Sequence, residues 1–219
     1  MSSPVLRLAA VLGVIVLVAG AIAGYVHKFT RGPAPFAATR TGQKQAKLTL
    51  GTTPAVGTLG GNPTWVSYLA RQDGQWKHTT EYEVPAHSLV RVTVYQFDGA
   101  SGLRNPYLSQ VQGTVGGTMQ VNGKTTKSID PDAASHTFTV PQMGIVVPLP
   151  GVADNAPNQC PQMPCSLEQA HQTVTFTIRT GKPGRFRWQC FVPCAAGFML
   201  GFGGPMQTLG YMDGFLHVT

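Results

Sequence analysis

Residues 8–26 read LAAVLGVIVLVAGAIAGYV, nineteen residues without a charge. In lipid such a run has one stable form, a helix that satisfies its own backbone. At about 28 Å that helix is close to the thickness of a hydrocarbon core. Arg7 precedes the run, and Tyr25, His27 and Lys28 fall where an interfacial belt sits. The run is longer than a usual signal-peptide core, which favours an uncleaved anchor over a signal segment cut after Ala21-Ile22-Ala23. Against this, Lys28 and Arg31 would then stand on the outer side. On either reading the rest of the chain is exported. The expected organisation is a membrane anchor or signal segment over residues 1–27, then an extracytoplasmic tether over residues 28–63. Within the tether, residues 47–50 are a candidate first strand, and the folded domain occupies residues 64–219. The expected location is the cell membrane, single-pass, with the domain on the extracytoplasmic side.

The formal charge of +7 is unevenly placed. Arg7, Lys28, Arg31, Arg40, Lys44 and Lys47 lie in residues 1–47, which hold no acid, leaving ten basic residues against nine acidic ones in the remainder. A basic arm beside an apolar helix suits anionic lipid headgroups. No RNA- or DNA-binding motif follows it, so nucleic acid is excluded as a partner and the membrane is retained.

Beyond residue 64 the pattern is β. In residues 87–97, Val90, Val92, Val94 and Gln96 alternate with Leu89, Arg91, Thr93 and Tyr95, giving one apolar and one mixed face. Further strands are expected at residues 65–69, 79–84, 136–140, 145–149, 173–179, 186–190 and 215–218. A hairpin is expected at Asn122-Gly123, between residues 119–121 and 124–126. Many short strands with turn signals between them predict an all-β Greek-key sandwich or barrel behind one N-terminal transmembrane helix.

Candidate chemistry concentrates in residues 185–218, RFRWQCFVPCAAGFMLGFGGPMQTLGYMDGFLHV. Cys190 and Cys194 precede Met199, Met206 and Met212 in a Gly-rich loop. Thiolate and thioether sulfur select a soft ion, Cu(I), over magnesium or calcium. The other pair, Cys160 and Cys165, lies in a Pro-rich loop, and in an exported protein the expectation is a disulfide rather than a copper role with Met163. Trp188 reads as core. Glu81, Glu83 and Asp213 make no acid/base pair, no G-x-S-x-G motif occurs, and no nucleophile has an evident base. A self-contained enzyme is not expected.

Residues 135–151, SHTFTVPQMGIVVPLPG, resemble the segment of heme-copper oxidase subunit II that carries the first histidine of its binuclear copper centre. His136 is followed at the family's spacing by Phe138, Pro141, Gly144, Pro150 and Gly151. Cys190-x3-Cys194, after the Pro183-Gly184 turn and an aromatic strand, resembles the second half of the same site. The ending GYMDGFLHV resembles the close of many cupredoxins, with Met212 at the copper-facing methionine. The resemblance covers residues 80–219 and implies a cupredoxin-like domain, copper as cofactor, and partners among heme-copper oxidase core subunits or a copper or electron donor protein. It implies an accessory oxidase subunit rather than an independent catalyst.

The departures from that pattern fall inside the site. The family's second histidine position holds Phe198, the methionine three residues on is Gly201, and His217 lies in the last strand. Three accounts stay open. His136, Cys190, Cys194 and Met212 hold one copper, with Met206 or Met199 as substitutes. A two-copper site survives with another group replacing the lost imidazole. Or Cys190 and Cys194 form a disulfide and no metal binds, leaving a structural or assembly subunit.

Overall fold

The structure, a computed structural model, describes residues 3–30, 34–194 and 204–219. The apolar run forms helix α1 (Pro4–Thr30), whose large apolar side chains are exposed along its length. Pro4–His27 is long and apolar enough to cross a membrane.

A separate compact unit runs from Pro35 to Thr219. Its strands are β1 (Phe36–Ala37), β2 (Thr39–Gly42), β3 (Gln45–Thr53), β4 (Ser67–Gln72), β5 (Gln75–Lys77), β6 (Glu81–Val84) and β7 (Leu89–Gln96). Then come β8 (Met119–Val121), β9 (Lys124–Thr126), β10 (Ala134–Val140), β11 (Ile145–Pro150), β12 (Gln172–Arg179), β13 (Gly184–Gln189) and β14 (Asp213–Val218). A four-residue helix, α2 (Gly204–Gln207), precedes β14.

The strands form two sheets. One runs in the order β1-β6-β14-β13-β10-β11. The other runs β5-β4-β3-β7-β12-β8-β9, with β2 also paired to β3. Both are mixed, because β3 pairs β7 and β14 pairs β6 in parallel while most other neighbours are antiparallel. Residues from both sheets build one core, among them Leu48, Val92 and Phe176 from the second sheet and Phe138, Leu149 and Leu216 from the first. Alternation along each strand places every second apolar side chain between the sheets. The chain is thus mostly β, a sandwich with one N-terminal apolar helix.

The domain starts earlier than residue 64. The candidate strand at residues 47–50 extends in both directions into a nine-residue strand, β3, whose Ala46, Leu48 and Leu50 are buried at the sheet's centre. Gly51 and the threonines after it look like linker residues. They are buried here because Trp76 covers Gly51 and Thr52 donates to Gln96 Oε1 at 3.1 Å. The hairpin at Asn122-Gly123 forms as expected, both residues having positive φ (49° and 80°) and joining β8 to β9.

Under one end of the sandwich lies an aromatic layer. Trp188 of β13 stacks between Tyr82 of β6 and Phe138 of β10, each with ring centroids 5.5 Å away, and Tyr68 meets Trp188 edge-on at 4.6 Å. The indole N–H donates to Thr80 O at 2.9 Å, and Tyr68 Oη donates to Thr137 O at 2.9 Å. The indole and the Tyr68 hydroxyl are thus satisfied, the buried Tyr82 hydroxyl has no hydrogen-bond partner among the described residues, and the stacked rings form the floor of this end. A satellite cluster holds the Cys160–Cys165 disulfide with Val56, Leu69, Phe97 and Met163. It is tied to β5 by Trp76 Nε1, which donates to Cys165 O at 2.7 Å. Met163 is core there, and the two sulfurs are bonded to each other.

Candidate metal centre

Three segments meet at the end of the sandwich above the aromatic floor. His136 lies near the start of β10, just past a break in register with β11 between Ala134 and His136. A bulge of this kind re-aims the side chain that follows it. Cys190 is the first residue beyond β13, and its N–H donates to Met212 O at 2.9 Å, which joins the ends of β13 and β14. Cys194 follows after a turn in which Phe191 N–H donates to Thr137 Oγ1 at 2.9 Å.

His136 Nδ1 lies 3.1 Å from Cys194 Sγ and 3.9 Å from Cys190 Sγ, and the two sulfurs stand 3.1 Å apart without a disulfide. All three candidate donor atoms lie within 4.8 Å of one another. Around an ion with bonds of 2.0–2.3 Å, tetrahedral donors lie roughly 3.3–3.8 Å apart, two sulfurs at the upper figure, so the set fits a metal once the sulfurs spread by roughly 0.7 Å. His136 and Cys190 are sealed from solvent (2% and 0% exposed), which suits an ion better than a substrate.

The far nitrogen of the imidazole is also held. His136 Nε2 lies 3.1 Å from Asp98 Oδ2. Asp98 stands two residues beyond β7, in the loop that leaves the other sheet. Its second carboxylate oxygen accepts from Gly99 N–H at 2.8 Å. Buried Gln96 clamps its backbone, donating to Asp98 O at 2.8 Å and accepting from the Asp98 N–H. A carboxylate on one imidazole nitrogen fixes the tautomer and turns the other nitrogen's lone pair toward a ligand position. The sequence reading missed Asp98. Its only signal was an acid before a glycine at the end of the strongest strand, 38 residues from His136.

The charges follow from this packing. Burial depresses the His136 imidazole, but hydrogen bonds to Asp98 and Cys190 and their charges outweigh it and lift its pKa to about 9. Burial pushes the Cys190 thiol up, yet hydrogen bonds from Cys194 and His136, with the imidazolium charge, hold it well below its ordinary value. Cys194 goes up, through its hydrogen bond to Cys190 first and burial second. Without a metal, therefore, the packing favours the charged form of Cys190 and His136 and the protonated form of Cys194. Thr137 N–H supports the thiolate at 3.4 Å, and Cys194 Sγ has Val192 O at 2.9 Å.

Of the other candidates, Met212 is fully buried beside Cys190, its N–H donating to Pro205 O at 3.1 Å. Met206 packs partly buried against the core, and its carbonyl accepts from Gln189 Nε2 at 3.0 Å. Met199 lies outside the described residues, as do Phe198 and Gly201. His217 pairs with Glu81 at 2.6 Å and takes no part in the cluster. Buried Asp213 pairs with Arg187. The expectation that no nucleophile has a base partner is corrected by this geometry. Cysteine, histidine and aspartate are aligned here, though on residues 38 and 58 positions apart that no local motif links.

No family model matches this chain, and no curated protein sequence matches it. Among solved structures it is similar to a variant of rusticyanin, with 17% identity over 91% of this chain and 94% of that one and a TM-score of 0.34. Rusticyanin from Thiobacillus ferrooxidans is 16% identical over 87% and 86%, with a TM-score of 0.32. A chain of a heme-copper terminal oxidase dimer is 13% identical over 97% and 98%, with a TM-score of 0.31. At such scores the likeness decides nothing about the metal centre, which stands on its own geometry.

Proposed function

We propose that this chain is a membrane-anchored, extracytoplasmic, cupredoxin-like protein that holds one copper ion as Cu(I). The ligands are His136 Nδ1, the thiolates of Cys190 and Cys194, and the thioether of Met212. The observation that carries this reading is the convergence of two cysteine sulfurs and one imidazole nitrogen within 4.8 Å, with the other imidazole nitrogen fixed by a carboxylate. A donor set this rich in sulfur suits Cu(I) and zinc and disfavours hard cations. The resemblance of residues 135–151 and of Cys190-x3-Cys194 to oxidase subunit II selects copper between the two.

When bound, copper supplies one-electron chemistry or a transferable ion. The chain's residues orient the imidazole, exclude water and hold two negative sulfurs against a cation. Cu(I) handling fits the thiolate-rich set better than fast electron transfer does. The partner is then a copper donor or acceptor protein or the core subunits of a respiratory heme-copper oxidase. The chain acts as their accessory rather than as an independent enzyme.

Metal analysis of the full chain, purified from copper-supplemented medium, tests this. One copper per chain is expected, colourless as isolated and gaining strong visible absorption on oxidation. Zinc alone, or no metal with a Cys190–Cys194 disulfide, would overturn it. A second reading is a metal-free structural or assembly subunit. It is favoured by the fact that the thiols and imidazole already hydrogen-bond one another and Val192 O. On that reading Cys190→Ser changes stability alone.

A further inference from the structure

The outer face of the larger sheet carries a basic patch that the metal centre does not use. Register places Lys47 of β3 beside Arg91 of β7, with Thr177 of β12 next to it. In the adjoining row Gln45, Leu89 and Arg179 lie side by side. Lys44 stands at the turn before β3. All four cations are exposed, and among the described residues none of them is in an ion pair. Two adjoining cavities of about 290 and 460 Å³ run between them, sharing Gln45 and Leu89 in their walls and containing no acidic side chain. The sequence placed Lys44 and Lys47 in a basic arm. Folding brings Arg91 and Arg179 to the same patch from strands 44 and more residues away.

We propose that this face docks on anionic phospholipid headgroups, the four cations binding lipid phosphates over the half-buried apolar floor of Leu89. Two observations favour lipid. The first is charge: four unpaired cations with no neighbouring acid are stable against a phosphate surface and unfavourable against one another. The second is reach. Thr39 is the strand partner of Lys47 and follows the last residue of α1, Thr30, by nine residues. Nine residues extend at most about 32 Å, so the covalent link keeps Thr39, the strand partner of Lys47, within that distance of Thr30. The proposal rests on the anchor reading and is independent of copper.

The test uses the full chain in nanodiscs of phosphatidylcholine, with or without phosphatidylglycerol, and lysine acetylation read by mass spectrometry. Co-elution with neutral nanodiscs reports the anchor by itself. With the anchor in place, acetylation of Lys44 and Lys47 is expected to fall at least threefold in the anionic discs. Lys124 and Lys127, on and beyond β9, should be unchanged. High salt or the double variant R91E/R179E should abolish the protection. Equal acetylation in both discs overturns the proposal. So does protection by added polyglutamate in neutral discs without protection by anionic lipid, which would assign the patch to an acidic protein.

Discussion

Asp98 Oδ2 lies 3.1 Å from His136 Nε2, and the other nitrogen of the same ring faces Cys194 Sγ at 3.1 Å. The carboxylate comes from the loop after β7 in one sheet, while histidine and cysteines belong to the other. At the site the two halves of the sandwich are therefore joined by this side-chain pair, and its geometry sets which nitrogen is offered to an ion.

Asp98→Ala removes that constraint and leaves both sulfurs in place. A carboxylate behind a ligating histidine typically contributes 10–100-fold in metal affinity. The variant should lose about that factor in Cu(I) affinity, measured by competition with a chromogenic chelator, and its dichroism spectrum should stay that of the parent. An unchanged affinity would mean that the imidazole is positioned by packing alone.

Gly214 supports the floor of the site. A Cβ there would lie 2.0 Å from Thr80 O, the same carbonyl that accepts from Phe215 N–H and Trp188 Nε1. Because the obstacle is backbone, β6 and β14 must separate or the carbonyl must turn away from the indole. Gly214→Ala should therefore cost about 3 kcal/mol, lowering Tm by roughly 9 °C. Gly61→Ala is the control, since its nearest outside atom is Tyr211 Oη at 3.9 Å. Thermal melts of the two variants settle the comparison.

What could be read from residues alone was whatever is local in the chain. The uncharged run reports α1, alternation reports β7 and β12, and Asn122-Gly123 reports its hairpin. The His136–Phe138–Pro141–Gly144 spacing, read as a family resemblance, falls on β10 and the turn after it, where Gly144 has φ 64°. Two things were hidden. Strand β3 is legible only as a candidate at residues 47–50, and its full length, with Gly51 and Thr52 buried, shows only in its pairing with β4 and β7. Asp98 carries no motif, and its role depends on a contact across the sandwich that no sequence spacing encodes.

Met212→Leu separates a ligand from a packing residue. The side chain is fully buried in the main core, and leucine keeps nearly its volume. The fold should lose less than about 1.5 kcal/mol. Loss of a thioether ligand should weaken Cu(I) binding about tenfold, or about 1.4 kcal/mol. Denaturant titration and chelator competition on the same sample give both numbers. A stability change with unaltered affinity would reduce the donor set to His136, Cys190 and Cys194.

The protonation pattern makes metal binding depend steeply on pH. His136 titrates at about 9 in the folded protein and about 6.5 unfolded, so its stabilising effect is complete below 6.5 and is lost as pH rises through 9. Cys190 runs the other way. Its pKa is lowered, so its contribution is present above the ordinary thiol pKa and is lost as pH falls through the lowered one. Above about 6.5 and above the lowered Cys190 value, up to about 8.5, the folded state has gained one proton on histidine and lost one on cysteine, and the metal-free stability should be nearly flat. Above that window Cys194, whose pKa is raised, keeps a proton that the unfolded chain has shed, and stability should fall. Metal binding needs both sulfurs as thiolates and the imidazole neutral, so in the flat window it expels two protons, one from Cys194 and one from His136. Apparent Cu(I) affinity should therefore rise about a hundredfold per pH unit across that window, measured by chelator competition at several pH values. An affinity independent of pH across that range would show that Cys194 and His136 do not give up their protons to an ion.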